Sequence, residues 1–523
     1  MNPDRLRALL LALASGLSLG LAGPPLELWP LAFLWPPLLW GALGARDLPS
    51  ALEAEPSPPL APLRHPLRRA LLLGLLAGAL CNLIYLTWVV GLLQDFARFP
   101  LIAAIPTTLV LAIAQAFPFV LATFLYATLG QLGYRSPWIL PAAISLGFSL
   151  APALFPWRAS SPLMLWLPWV QLAELGGSPL LDLLAAMAGM GLVLAATRRD
   201  RGPRLRALAI GLGCLLLPAL YGHLRLPSIE AARRDAPSLR VGVVQPNVGI
   251  FDKHDPALFH AHLERLRELS LELEAQGAEL ILWPESAYPF PLHRRLRHDP
   301  PGARSIRRDG PRGPILFGAV TQEGTCRRYN SIVGMDAEGR FVGISDKVRL
   351  MPFGEFVPLW HWLPPLQQMF RCPGIVPGEA PRAIDVAGVR AGVLNCYEDV
   401  LPAFAAQVAL EDPELLVNLT NDAWFGDSVE PHLHQLVSRG RSIETRRDLL
   451  RAVNTGVSAH ISATGAELHR TQTFEQTSFL VRIPRLRGMT PWVRFGDLVT
   501  PALGGVLIGL FLAGLRLRRR RRR

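Results

Sequence analysis

The first 222 residues consist of long apolar runs separated by short polar loops, and one more apolar run lies near the end of the chain. A run of about 20 apolar residues can cross a bilayer as a helix. The sequence therefore predicts eight membrane spans, at residues 6–22, 26–44, 70–92, 101–130, 138–155, 176–197, 206–222 and 497–515. The first run has no small-residue cleavage site and a second run follows at once, so we interpret it as a helix and not as a signal peptide.

The pattern changes between residues 223 and 496, where short β-type runs alternate with helical periodicity. Such alternation is typical of an α/β domain, and about 270 residues are enough to enclose a core. Strands are predicted at residues 240–245, 279–283, 315–320, 331–335, 340–344, 390–395, 415–419, 460–463 and 478–483, and helices at 257–275, 402–409 and 433–453. The tetrad at 336–339 indicates a hairpin turn.

The predicted organisation has three parts. Residues 1–222 form a membrane domain of seven transmembrane helices, residues 223–496 form an α/β domain, and residues 497–523 form an eighth helix with an arginine-rich tail. Arginines are concentrated at both ends and in the loops after the second, fourth and sixth spans, whereas the alternate loops hold few. Because basic loops stay in the cytoplasm, both termini are predicted to be cytoplasmic and residues 223–496 to lie outside.

Composition and charge agree with a membrane protein. Only 18% of the residues are charged, against about 25% in soluble domains, which excludes a disordered chain. The net charge of +12 owes much to seven arginines among the last eight residues, and its simplest partner is an anionic membrane surface and not a nucleic acid. The spans contain almost no ionisable residues, although a transporter usually needs them.

Three reactive side chains directly follow predicted strands: Glu285, Lys347 and Cys396. Strand ends of α/β sheets are where ligands bind. Taken alone, each residue is commonly structural: a surface carboxylate, a solvated ammonium or a small core thiol. Together they supply the base, the cation and the nucleophile that thiol acyl transfer needs. Of 53 Lys and Arg residues only Lys253 and Lys347 are lysine, which suggests a role that arginine cannot fill.

The remaining cysteines and two histidines lack this context. Cys81 and Cys214 fall in predicted spans, and Cys326 and Cys372 fall in loops, where their oxidation to a disulfide is left open. His432 and His434 are two residues apart without a partner cysteine, so we interpret them as helix-start or surface residues. We find no metal-ligand spacing of the zinc type and expect no metal and no other cofactor.

The order Glu285, Lys347, Cys396 resembles the Glu-Lys-Cys triad of the nitrilase superfamily. The surrounding sequence is most similar to the apolipoprotein N-acyltransferase family, which also has eight spans with a nitrilase-like domain between the last two. The matching stretches are VQPN at 244–247, WPES at 283–286, DK at 346–347, PFGE at 352–355, CYE at 396–398, NLTNDAWFG at 418–426 and RAVNTG at 451–456.

The resemblance implies an αββα sandwich on a membrane bundle and a ping-pong acyl transfer. Cys396 would take an acyl chain from a phospholipid as a thioester and pass it to the α-amino group of the diacylglyceryl-modified N-terminal cysteine of an apolipoprotein. Glu285 would be the base, and Lys347 would stabilise the oxyanion. The resemblance also implies a monomer in the bacterial inner membrane, with the catalytic domain in the periplasm.

Further residues take supporting roles by the same resemblance. Glu355 would help hold Lys347, while Tyr397 and Glu398 would flank the nucleophile, although ordinary packing and a buried ion pair are the alternatives for these two. The segment 353–370 is unusually apolar for a loop, which favours a lid or lipid contact over core. The predicted substrate and lid residues are Trp360, Trp362, Phe370 and Trp424.

One position departs from the family pattern. His254 stands where the family typically has a tryptophan linked to substrate binding, so either the acceptor pocket differs or Phe251 substitutes; we assign His254 no catalytic role. Three other functions compete. A membrane-tethered amidase would share the triad but needs no apolar segment, a transporter would need polar spans, and a degenerate binding module would need no intact triad.

Overall fold

The computed structural model describes residues 3–44 and 64–522, so most of the predicted loop after the second span, residues 45–63, lies outside the described residues. The chain forms two compact units. One comprises Met1–Leu226 together with Phe495–Arg523, and the other comprises Pro227–Arg494. The first unit is helical and the second holds all thirteen strands of the described residues.

Apolar helices make up the first unit. Among the described residues its α-helices are Pro3–Ala22, Trp35–Leu43, Arg64–Tyr85, Trp88–Asp95, Leu101–Gln115, Phe117–Gln131, Ile139–Leu150, Leu167–Val170, Ala173–Thr197, the first part of Arg201–Asp235, and Val499–Arg522. Six stretches in the described part of the chain are long and apolar enough to cross a membrane: Pro3–Ala22, Leu67–Tyr85, Leu101–Gln131, Ala173–Thr197, Arg201–Asp235 and Val499–Arg520.

The count of eight predicted spans is therefore approximate, because two of them are not long helices. Residues 26–44 contain a 3-10 helix, Trp29–Phe33, followed by the short helix Trp35–Leu43, and prolines 30, 36 and 37 interrupt the segment. Residues 138–155 contain the 12-residue helix Ile139–Leu150. At about 1.5 Å per residue such a helix covers little more than half of a bilayer core.

Two acidic groups in the apolar helix Ala173–Thr197 form ion pairs. Asp182, inside Ala173–Thr197, lies 2.6 Å from Arg158, and Glu174 lies 2.8 Å from Arg225. Charged groups at membrane depth are costly unless they are paired. These ion pairs therefore agree with an anchoring role.

Two mixed sheets form the second unit. In chain order the strands are β1 (Ser238–Gln245), β2 (Leu280–Leu282), β3 (Tyr288–His293), β4 (Ile315–Glu323), β5 (Arg327–Met335), β6 (Phe341–Asp346), β7 (Ala383–Val386), β8 (Val389–Asn395), β9 (Leu415–Thr420), β10 (Leu449–Val453), β11 (Ala459–Ile461), β12 (Glu467–Arg470) and β13 (Thr477–Pro484). The first sheet has the order β13-β1-β2-β4-β5-β6, with β3 paired to β4, and the second has the order β12-β11-β10-β9-β8-β7.

Helices cover the outer faces of these sheets. In this unit the α-helices are the second part of Arg201–Asp235, Ile250–Lys253, Phe259–Ala275, Pro364–Met369, Pro402–Ala409, Glu430–Thr445 and Pro491–Phe495. Alternate strand residues point to opposite faces of a sheet. The core between the sheets contains Val241, Val243, Leu280 and Leu282 from the first sheet and Val393, Leu415, Val417 and Leu419 from the second.

The residues between these positions face outward and pack on helices. Ile281 shares an apolar cluster with Leu266 of Phe259–Ala275. Leu416 shares another with Val408 of Pro402–Ala409. The layers are therefore helix, sheet, sheet, helix, and the predicted αββα sandwich is confirmed.

Most predicted strands are present with shifted ends, and the hairpin turn at 336–339 is confirmed between β5 and β6. The predicted helix 433–453 is wrong in its second half. The helix Glu430–Thr445 ends at Arg446, which is left-handed with φ of 54°, and Leu449–Val453 is a strand. All five residues of that strand are buried between β9 and β11. A short apolar run cannot be assigned by periodicity alone.

Candidate active site

Three strand ends bring the predicted reactive residues to one edge of the sandwich. Glu285 follows β2, Lys347 follows β6 and Cys396 follows β8. The Glu285 turn crosses β4 very closely at Gly318, where a Cβ atom would stand 2.3 Å from the Ser286 nitrogen and 2.6 Å from the Glu285 Cα. A side chain at position 318 would therefore displace Glu285.

A buried ammonium joins two carboxylates at this edge. The Nζ of Lys347 lies 3.1 Å from the Oε1 of Glu285 and 3.0 Å from the Oε1 of Glu355. Lys347 is 2% exposed and Glu285 is 6% exposed. Burial alone would lower the pKa of Lys347, but the surrounding carboxylates and Cys396 hold it well above its usual range. Lys347 is therefore a fixed cation in this site.

Asn330 on β5 supports the same carboxylates, and the sequence pattern gave no sign of it. Its side-chain amide donates to the Oε1 of Glu285 at 2.6 Å and to the Oε1 of Glu355 at 2.9 Å. Burial raises the pKa of Glu285, but Lys347 and Asn330 outweigh burial and bring it below its usual range. Glu285 is therefore ionised at neutral pH and able to accept a proton.

Cys396 begins a tight turn with a strained backbone. Its φ of 49° lies in the left-handed region, which non-glycine residues rarely adopt. The Asn418 amide donates to the Cys396 carbonyl at 3.0 Å and so supports the turn. Burial raises the pKa of the Cys396 thiol, as does Glu285, while Lys347 opposes them. Cys396 is therefore a neutral thiol, and its conversion to a thiolate needs a base.

Glu398 connects the nucleophile turn to the segment after Lys347. Its Oε2 accepts from the Asn395 backbone N–H at 2.9 Å, and its Oε1 accepts from those of Val348 and Arg349 at 2.7 and 3.0 Å. All three contacts are with backbone N–H groups, so they do not form the buried ion pair that was the alternative for Glu398. Burial raises the pKa of Glu398 to about 7 against these hydrogen bonds. Neighbouring Tyr397 is partly buried, which raises the pKa of its phenol to about 12.

A buried charge network lies next to Cys396, and its members correct one prediction. His434 lies near the start of the helix Glu430–Thr445, as one predicted alternative has it, but the surface alternative is wrong. Its Nε2 lies 2.7 Å from Asp399 and its Nδ1 lies 3.2 Å from Asp422. Arg451 donates to the other oxygen of Asp399. Burial alone would lower the pKa of His434, but Asp399 and Asp422 raise it to about 10. The spacing of His432 and His434 could not reveal partners so distant in sequence.

The same network contains a group of possible metal ligands. Ligand atoms of Asp422, Glu430 and His434 lie within 4.8 Å of one another. Both ring nitrogens of His434 face carboxylates, so its ring carries two protons and has no lone pair for a metal. Burial and Asp422 raise the pKa of Glu430 to about 8. The arrangement therefore suits shared protons better than a metal ion.

The apolar segment 353–370 is largely exposed. Trp362 is 80% exposed and Phe353 is 82% exposed, and the Nε1 of Trp360 donates to the Phe370 carbonyl at 2.9 Å. These contacts are local, so the structure does not bring Trp360, Trp362 or Phe370 into the buried cluster. A disulfide between Cys326 and Cys372 ties the end of the segment to the turn between β4 and β5. Cys326 and Cys372 are thus oxidised together.

Trp424 lies in a different place from the other predicted lid residues. It belongs to the short 3-10 helix Asp422–Phe425, and its ring centroid lies 6.3 Å from that of His254. His254 follows Lys253, whose Nζ donates to the Glu285 backbone carbonyl at 2.9 Å. The composition already marked Lys253 as one of two lysines, but the sequence pattern did not show that it also contacts Glu285.

Comparison with known proteins gives a consistent result. Residues 15–191 match the Apolipoprotein N-acyltransferase N-terminal domain, and residues 240–487 match the Carbon-nitrogen hydrolase family. A protein of Azotobacter vinelandii named apolipoprotein N-acyltransferase is 32% identical, over 98% of this chain and 96% of that protein. Proteins of the same name from Pseudomonas aeruginosa and Geobacter metallireducens are 29% and 28% identical, over 98% and 94% of this chain and 97% and 92% of theirs.

Proposed function

Because the chain belongs to the apolipoprotein N-acyltransferase family and is an N-acyltransferase, we propose that it completes lipoproteins by acylating their N-terminal cysteine. The donor is a phospholipid, and the acyl chain passes through a thioester on Cys396. The acceptor is the α-amino group of a diacylglyceryl-modified cysteine. The observation that carries this proposal is the buried Lys347 ammonium held between Glu285 and Glu355 next to the Cys396 thiol.

The first half-reaction forms the acyl-enzyme. Glu285 takes the thiol proton, and the thiolate attacks the ester carbonyl of the phospholipid. Lys347 stabilises the negative oxygen of the tetrahedral intermediate. The carbonyl–oxygen bond then breaks, Glu285 returns its proton to the departing alkoxide, and a lysophospholipid leaves. Cys396 is left as a thioester with Glu285 again ionised.

The second half-reaction uses the same groups. The α-amine attacks the thioester carbonyl, and Glu285 takes a proton from the attacking nitrogen. The carbon–sulfur bond breaks, an amide forms on the lipoprotein, and the thiolate recovers the proton from Glu285. The Glu285 carboxylate thus serves both steps. Its hydrogen bonds to Lys347 and Asn330 support this role, because they hold the carboxylate in one position.

The location of the enzyme follows the same proposal. We place it in the bacterial inner membrane with residues 1–222 and 497–523 as the membrane part and residues 223–496 in the periplasm, as a monomer. The arginine distribution supports this orientation. The Cys326–Cys372 disulfide also supports it, since disulfides persist in oxidising compartments such as the periplasm.

A membrane-tethered amidase remains the second candidate, because it would use the same triad and release its acyl group to water. The exposed apolar segment at 353–370 favours a lipid substrate. The two functions differ in the acyl acceptor, so the fate of the acyl chain separates them.

We expect acyl transfer to an amine and not to water. The purified protein is incubated with phosphatidylethanolamine and a diacylated lipopeptide with a free α-amine, and the products are weighed by mass spectrometry. The expected result is a triacylated lipopeptide with little free fatty acid, and no transfer to a matched lipopeptide whose α-amine is acetylated. Release of fatty acid at the same rate with either peptide would support the amidase instead.

A further inference from the structure

We propose that Lys253 is a positioning residue for the acyl-transfer reaction: its ammonium fixes the main chain of Glu285 and stabilises the Cys396 thiolate across the site. This inference rests on the proposed function, because it assumes that Cys396 reacts as a thiolate. Nothing in the similarity to known proteins assigns a role to this lysine.

The contact is direct and the lysine is held in place. The Nζ of Lys253 donates to the backbone carbonyl of Glu285 at 2.9 Å. Lys253 ends the short helix Ile250–Lys253, which follows a loop fastened to Asn454. The Asn454 side chain accepts from the Val248 N–H at 2.9 Å and donates to the Val248 carbonyl at 2.8 Å. The ammonium is therefore presented to Glu285 by an anchored loop.

The charge balance of the site calls for a second cation. Glu285 and Glu355 are both within 3.1 Å of a single ammonium, that of Lys347. Two carboxylates against one cation leave the cluster negative, and a thiolate at Cys396 adds a further negative charge. Like charges disfavour ionisation. Lys253 places a second ammonium beside this cluster, 2.9 Å from the Glu285 carbonyl. Negative charge on Glu285 and Cys396 raises its pKa against burial, which is the attraction expected of such a cation.

The use of lysine at this position is informative. The chain has 53 Lys and Arg residues, and its only two lysines both contact Glu285, one at the carboxylate and one at the carbonyl. Lysine is a compact point charge, whereas arginine is a planar fork that suits two acceptors. Burial lowers the pKa of Lys253 to about 8. Its charge can therefore change in a pH range that is easy to reach.

The effect of Lys253 on the pH dependence must be distinguished from that of the other titrating groups near the site. The charged groups that act on Lys253 and Cys396 are Glu285, Lys347 and Asp422 together with these two residues themselves. Those that act on the neighbouring His254 and His262 are Lys253, Arg328, Arg265, Asp252 and Asp255. Burial lowers the pKa of both His254 and His262, so neither changes charge above pH 7. Glu398, Glu430 and His434 do titrate in the range of the experiment, with their pKa values raised to about 7, 8 and 10. All three are present in every protein compared, so their effects cancel when two variants are compared at each pH.

The test measures the reactivity of the Cys396 thiolate without any lipid. The full-length protein in detergent is alkylated with iodoacetamide between pH 6.5 and 10, and peptide mapping follows the adduct on Cys396. The compared proteins are the wild type, Lys253→Gln, Lys253→Arg and a control, Arg240→Gln, which removes an exposed cation at the start of β1. Lys253→Met repeats the test with the apolar stem kept if the glutamine variant does not fold.

At pH 7 we expect Lys253→Gln to react about tenfold more slowly than the wild type, which corresponds to one pKa unit of the thiol. The ratio should fall toward one above pH 9, because the wild-type lysine then loses its charge. Lys253→Arg keeps its charge at every pH, so its rate relative to Lys253→Gln should not change between pH 7 and pH 10, and Arg240→Gln should match the wild type. A constant ratio of wild type to Lys253→Gln at every pH, or an arginine variant whose rate relative to Lys253→Gln falls above pH 9 as the wild type's does, would overturn the inference.

This outcome is independent of the proposed reaction. If the alkylation ratio changes with pH as expected but no acyl chain is ever transferred, the proposed function fails and the electrostatic role of Lys253 stands. If acyl transfer occurs but the ratio stays constant, the proposed function stands and Lys253 has only a packing role.

Discussion

Replacing Glu285 by glutamine is expected to slow the acylation of Cys396 by about a thousandfold while the protein remains folded. Glutamine has the same shape and keeps an oxygen for the 2.6 Å contact with Asn330. It cannot take the proton of the Cys396 thiol, whose pKa is raised by burial and by the Glu285 charge. The rate of acyl-enzyme formation, followed by intact mass after rapid mixing with phospholipid, measures the effect.

The matched control is Glu272→Gln, which makes the same chemical change at an exposed position of the helix Phe259–Ala275. It should acylate at the wild-type rate. If Glu285→Gln also acylated within a few-fold of the wild type, the proton would have to leave Cys396 by another route and Glu285 would not be the base.

Replacing Lys347 by methionine is expected to impair both folding and catalysis. The change leaves the Glu285 and Glu355 carboxylates buried without their cation, which typically costs about 3–5 kcal/mol. We expect the melting temperature in detergent to fall by roughly 10 °C at pH 7. Acylation should slow by about a hundredfold or more, because the oxyanion loses its donor.

The loss of stability in Lys347→Met should depend on pH with a defined sign. In the wild type the pKa of Glu285 is lower in the folded protein than in the unfolded chain. This difference stabilises the fold at pH values above the unfolded pKa, and the stabilisation is lost as the pH falls. In the variant Glu285 lacks the ammonium that lowers its pKa against burial, so the gap in melting temperature should shrink as the pH falls toward about 4. Lys347→Arg keeps the charge and should melt closer to the wild type, yet still acylate slowly. A gap that is constant between pH 4 and 8 would contradict the ion pairing.

The overall architecture could be predicted because it depends on local signals. Apolar runs marked the membrane part, and short β runs with alternating faces marked the sandwich. Two features could not be predicted in this way. Prolines in 26–44 interrupt an otherwise apolar run, and Leu449–Val453 is a strand because β9 and β11 flank it. Pairing between distant segments decides the second case, whereas the prolines are a local signal that the apolar pattern alone does not weigh.

The candidate site was predicted only in part, and the reason is again distance in sequence. Glu285, Lys347 and Cys396 stood out because each follows a strand. Asn330 lies inside a strand and is recognisable only from its contacts with the two carboxylates. His434 lacked a nearby partner in sequence, and its carboxylates come from segments 12 and 35 residues away. The roles of the triad stay predictions until they are measured.

The central claim is that Cys396 carries an acyl chain, and intact-mass spectrometry after incubation with phosphatidylethanolamine alone tests it most directly. The wild type should gain the mass of one acyl chain, and hydroxylamine should remove it because a thioester is labile to that nucleophile. Cys396→Ala, prepared in the same detergent, should gain nothing. An adduct that persists in Cys396→Ala, or a folded wild type that stays unmodified with every phospholipid supplied, would contradict the claim.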